Sequence, residues 1–145
     1  MNRIWVVVAN QAEAQIYAAA RLTGKLSLQG SLRHAEGRAF ARDLVSDAPG
    51  RVHDRKGSGR HSMEPATDVK EEERRRFARE IAGRLEAAHR RGDFDRLVLM
   101  AGPGFLGVLR KALAAELTKA VIKEVPRDMI DQDEEHIRMQ LDRAP

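Results

Sequence analysis

The sequence predicts an α/β fold, a mixed β-sheet of about five strands flanked by helices. Three observations carry that expectation. Two uninterrupted apolar runs, IWVVVA at 4–9 and LVLMA at 97–101, have the character of strands covered on both faces. The stretch after the first run breaks into short segments separated by turn residues, whereas the chain beyond residue 68 alternates helical periodicity with further strands. No internal repeat, low-complexity tract or linker divides the chain, so one domain spanning 1–145 is expected.

The elements follow in order. Residues 4–9 form a first strand and 14–20 a second, with Asn10 to Glu13 as a tight turn. Residues 25–32 alternate: Leu26, Leu28 and Leu32 face one way, and Lys25, Ser27, Gln29 and Ser31 the other. They follow Thr23-Gly24, so the first three strands read as an antiparallel meander with one half-solvated edge. A short helix is expected at 38–45, ahead of a long polar loop. Asp68 then reads as an N-cap with Glu71 completing a capping box. The helix it opens carries Phe77, Ile81, Leu85 and Ala88 as one apolar stripe, and Gly92 closes it. After the strand at 97–101 come AGPG and a helix with Leu106, Leu109, Leu113 and Leu117 on one face. A strand at 121–125 ends before Pro126, and Ile137 and Leu141 mark a last helix. Three strands, a loop and then αβαβα match the ribonuclease-H-like topology.

Composition sets bounds on function. Among 145 residues, 42% are hydrophobic and 33% charged, which excludes a disordered chain. There is no cysteine, so disulfide frameworks and thiol chemistry are excluded. The apolar run at 4–9 is too short for a secretory segment or a membrane span, and cytoplasmic residence without a membrane partner is expected. The net charge of +4 is modest, and its distribution matters more than its sum.

Much of that excess lies in the loop at 46–67, whose core reads SDAPGRVHDRKGSGRHSME. Arg51, Arg55, Lys56 and Arg60 stand against one acid, Asp54, between residues 51 and 61. Gly57 and Gly59 let backbone N–H groups converge, and guanidinium forks pair bidentately with phosphate. These residues, with His53 and His61 shaping the loop, form the expected anion- or RNA-binding set. The loop has no aromatic side chain, so backbone or shape recognition fits better than base stacking.

Other chemistries are weaker. A two-metal nuclease of this topology needs carboxylates at its strand tips, yet the first strand ends in Asn10 and the strand at 97–101 carries no acid. His53, Asp54, His61 and Glu64 match no closed zinc pattern, and Ser58 and Ser62 sit in no nucleophile elbow. No catalytic residue, metal or cofactor is therefore assigned. The rival readings are a metal-assisted phosphoesterase using His53, His61 and Glu64, and a protein–protein module working through an apolar turn at Phe105 and Leu106. The turn AGPGFLG at 101–107 lacks both the Walker and the dinucleotide spacings, although Arg110 and Lys111 would assist an anion there. The EEERRR run is read as a solvated helix face with pairs such as Glu72–Arg76 and Glu71–Arg74.

Three runs in fixed order, DLVSDAPGRVHDRKGSGRHSME, EEERRRFAREIAGRLE and FDRLVLMAGPGFLGVLRKAL, resemble the bacterial host attachment protein family, whose members are described as required for attachment to host cells. The strands WVVVAN and AQIYAAA fit as well, so the resemblance covers essentially the whole chain. Gly102 departs from it, standing where the family turn has proline. More remotely, that family is similar to the middle domain of archaeal and eukaryotic peptide-chain release factors, which presents a GGQ loop to the ribosome. The corresponding residues here are Gly57-Ser58-Gly59-Arg60-His61, so peptidyl-tRNA hydrolysis does not carry over. What the resemblance implies is an RNA- or ribosome-facing partner.

Overall fold

The structure, a computed structural model, describes residues 3–34 and 59–142, with backbone alone over 59–67. Its elements are β1 (Ile4–Ala9), β2 (Glu13–Ala19), β3 (Ser27–Arg33), α1 (Gly59–Arg91), β4 (Arg96–Ala101), α2 (Pro103–Ala112), α3 (Ala115–Ala120), β5 (Val121–Val125) and α4 (Glu134–Asp142). One five-stranded sheet runs in the order β3-β2-β1-β4-β5. The β1–β2 and β2–β3 pairs are antiparallel, and the β1–β4 and β4–β5 pairs are parallel. The expected α/β class and mixed sheet are therefore present. The helix expected at 38–45 lies outside the described residues.

β1 sits at the centre because its side chains are apolar on both faces. Trp5, Val7 and Ala9 join a core with Phe77, Ile81 and Leu85 of α1 and Leu106 and Leu109 of α2. Ile4, Val6 and Val8 face the second core, with Val98, Met100 and, from α4, Ile137 and Leu141. Two layers of helix thus enclose the sheet. Lys123 ties β5 to α4, its Nζ donating to the Leu141 carbonyl at 2.9 Å.

Helix α1 is held by its stripe. Phe77, Ile81 and Leu85 are fully buried, and each such side chain stabilises by about 1.5–3 kcal/mol. The charge pairs of its outer face contribute a few tenths of a kcal/mol each. Packing wins. Gly92 ends the helix at φ 83°. Its N–H donates to the His89 carbonyl and that of Asp93 to the Ala88 carbonyl, at 3.0 Å each, which satisfies two terminal carbonyls.

Four expectations are corrected. Helix α1 begins at Gly59, so Asp68 is interior and caps nothing. Met63, Glu64 and Ala66 favour helix, and the stretch continues through Pro65 with one backbone donor fewer. The last part of the expected loop, 59–67, is consequently helical. In β3 the pairing shifts between Ile16 and Tyr17, opposite Gly30 and Leu28, leaving Gln29 as an extra residue. The bulge reverses parity: Leu32 packs towards the α1 core, while Leu28 is 60% exposed. Finally, the single helix expected after β4 is two. Leu113 turns extended (φ −76°, ψ 138°), separating α2 from α3, although all four leucines remain buried.

Candidate functional site

The parallel neighbours β1 and β4 end side by side, Ala9 opposite Ala101. From that edge the chain leaves in opposite directions: through Asn10 to β2, and through Gly102 and α2 to β5. Such a switch point at the carboxyl ends of strands leaves a crevice where ligands bind in α/β sheets. Asn10 shapes one side. Its Oδ1 accepts from the Ala12 and Glu13 amides at 2.8 and 2.9 Å, and its Nδ2 donates to Asp128 Oδ2 at 3.5 Å. Gly102 shapes the other. It precedes α2 without a side-chain cap, and the first helical bond runs from the Leu106 amide to the Gly102 carbonyl. The Gly104 and Phe105 amides therefore have no acceptor within the helix.

His34 brings a third element to this edge. Its amide donates to the Ala12 carbonyl at 2.9 Å, fixing the residue just after β3 beside the Asn10 turn. The ring is buried, stacks on Phe77 at 5.1 Å, and hydrogen-bonds through Nε2 to Glu73 Oε1 at 2.9 Å. With Glu73 ionised, the ring nitrogen is the donor. Phe77 in turn lies 6.1 Å from Phe105 of α2. The pair therefore clamps the end of β3 to α1. Residues 35–58 join these two arms, and α1 begins fourteen residues before Glu73, roughly 20 Å along the helix axis.

Sequence reasoning missed both His34 and Glu73. Glu73 was absorbed into a charged run, yet it lies four residues before Phe77, one turn back along the apolar stripe. A carboxylate on a buried stripe was the available signal.

Between α1 and α2 runs a groove of about 380 Å³, lined by Glu71, Arg75, Arg79, Gly104, Gly107 and Lys111. Its cations are largely paired. Glu72 accepts from Arg79 at 3.2 Å and Arg75 at 3.3 Å, and the Arg79 hydrogen bond holds its carboxyl below the ordinary carboxylate value. The Glu71–Arg74 pair forms as expected at 3.6 Å; Glu72 takes Arg75 and Arg79 instead of Arg76. Arg110 is turned away from the glycine turn. It grips Glu124 of β5 through Nη2 at 2.6 Å and Nε at 3.0 Å, which lowers the Glu124 pKa, so of the two basic residues after the turn Lys111 alone lines the groove.

Of the expected anion-binding set, Arg51, His53, Arg55, Lys56 and Gly57 lie outside the described residues. Gly59, Arg60 and His61 fall in the first turn of α1, where only the backbone is described. Among the described residues no group of three potential metal-ligating side chains gathers, and no helix is long and apolar enough to cross a membrane. The apolar docking turn is overturned: Phe105 and Leu106 are buried in the core beneath α2, because α2 packs that face against Phe77 and the sheet.

Comparison with known proteins shows what this chain is similar to. The model of a family described as protein required for attachment to host cells matches residues 5–141. A curated relative, the uncharacterized protein RP470 of Rickettsia prowazekii (strain Madrid E), is 30% identical over 73 residues, covering 49% of each chain. The chain thus spans about half the length of that relative.

Proposed function

On the premise that the chain belongs to the family of proteins required for attachment to host cells, we propose that it works as a non-catalytic domain binding the phosphate backbone of RNA, as a free strand or within a ribosome. The observation that carries this reading is the run from Arg51 to His61, where Arg51, Arg55, Lys56 and Arg60 face a single acid, Asp54. Four cations so close, with glycines between them, suit repeated phosphates better than one buried ligand.

The strand order β3-β2-β1-β4-β5, with its antiparallel meander followed by parallel strands, supports grouping with the ribonuclease-H-like topology. Through that topology it supports kinship with the release-factor middle domain. The His34–Glu73 clamp lends the reading a mechanical basis. It fixes the end of β3 against α1, the two elements that flank the basic run in sequence. Asn10 and Gly102 at the strand tips supply no carboxylate for a two-metal mechanism, which favours binding over phosphodiester cleavage.

The test is polarisation of a labelled single-stranded RNA across a salt series. Each phosphate contact contributes roughly 0.7 to the log–log slope on single strands, so replacing all four cations by alanine lowers the slope by roughly three. An unchanged slope contradicts the reading.

A further inference from the structure

A basic concavity lies at the end of the sheet opposite the His34 edge. Arg3, immediately before β1, and Arg21 and Lys25, in the turn from β2 to β3, line a cavity of about 840 Å³ with Trp5, Gln29 and Asp93. That volume is within the range of roughly 300–1,000 Å³ seen for small-molecule sites. We propose that this cavity binds a small phosphate-bearing molecule, with its phosphate groups held by Arg3, Arg21 and Lys25.

The backbone presents these cations. Arg3 is pinned at both ends of its peptide unit: its amide donates to Asp95 Oδ1 at 3.0 Å, and its carbonyl accepts from the Asp95 and Arg96 amides at 3.0 and 3.1 Å. The Gly24 amide donates to the Arg21 carbonyl at 2.9 Å, and a Cβ at Gly24 would stand 3.2 Å from that oxygen. Glycine there keeps the turn tight, so that Arg21 and Lys25 flank one opening.

Among the described residues these charges are uncompensated. Among the described residues the side chains of Arg3, Arg21 and Lys25 form no ion pair. Among the described lining residues the one acid, Asp93, is already engaged by Arg91 through Nη2 at 2.9 Å and Nε at 3.1 Å. Three like charges sharing a concavity repel one another, and a phosphate both relieves that repulsion and accepts guanidinium hydrogen bonds. Trp5 forms an apolar wall; it is 8% exposed and is held against Phe94 at 4.9 Å.

Trp5 is the sole tryptophan, so its emission reports on this cavity. Inorganic pyrophosphate and ADP are each titrated at low salt, with emission read alongside calorimetry. Saturable binding is expected, weakened at least about tenfold in Arg21→Gln/Lys25→Gln as charge-assisted bonds are lost. The Arg51→Ala/Arg55→Ala/Lys56→Ala/Arg60→Ala variant keeps wild-type affinity, which separates this site from the RNA reading. Tighter binding of ADP than of pyrophosphate extends the site to the nucleoside; equal binding confines it to phosphate. Absence of binding by either compound overturns the proposal, as does binding undiminished in Arg21→Gln/Lys25→Gln at unchanged thermal stability.

Discussion

At the residue scale the His34–Glu73 hydrogen bond does most to fix the candidate site, because it joins two elements thirty-nine positions apart in sequence at the sheet edge. Glu73→Ala strips a buried ring of its partner, and we expect a loss of about 1–3 kcal/mol in urea unfolding. Glu73→Gln keeps an acceptor and costs less. A loss for Glu73→Ala no larger than that for a surface alanine would mean that the clamp is incidental. Two glycines of α1 and its end give opposite signs. Gly92 sits at φ 83°, so Gly92→Ala is destabilising by about 1 kcal/mol. Gly83 is exposed mid-helix and an added Cβ meets nothing within 4 Å, so Gly83→Ala stabilises by roughly 0.5–1 kcal/mol. Denaturation midpoints of the two variants check both. Gly92 was legible as a helix stop from sequence alone. The burial of His34 was not, since it depends on a partner supplied by a distant element.

At the element scale, legibility followed burial. β1 and β5 were read at their observed bounds, because a strand enclosed on both faces or ended by proline writes its limits into the sequence. β3 was read with the wrong facing, because the Gln29 bulge depends on pairing with β2 and leaves the local alternation looking regular. The start of α1 was misplaced for a related reason: Asp68 and Glu71 satisfy the capping pattern, yet the residues before them carry helix onward. One inter-element tie is sensitive to pH. Arg110 bonds Glu124 and holds its carboxyl below the ordinary 4.5. A depressed folded-state pKa stabilises above the unfolded value, and that contribution is lost as pH falls through the folded one. The thermal midpoint of Glu124→Gln should therefore lie slightly below wild type at neutral pH, with the gap closing in acid well below about 4.5. A gap independent of pH would refute the assignment.

The whole chain carries two cationic groupings. One is the run from Arg51 to His61, which leads into the start of α1 and whose charge was plain in the sequence. The other is the cavity of Arg3, Arg21 and Lys25, whose members are scattered in sequence and meet only through strand pairing and a glycine turn. The central claim concerns the first. Co-sedimentation with ribosomes and with total RNA across a salt series tests it most directly, comparing wild type with Arg51→Ala/Arg55→Ala/Lys56→Ala/Arg60→Ala. The account predicts salt-sensitive co-sedimentation by wild type that the variant loses while unfolding at the same temperature. Wild-type protein that stays in the supernatant at low salt would contradict it.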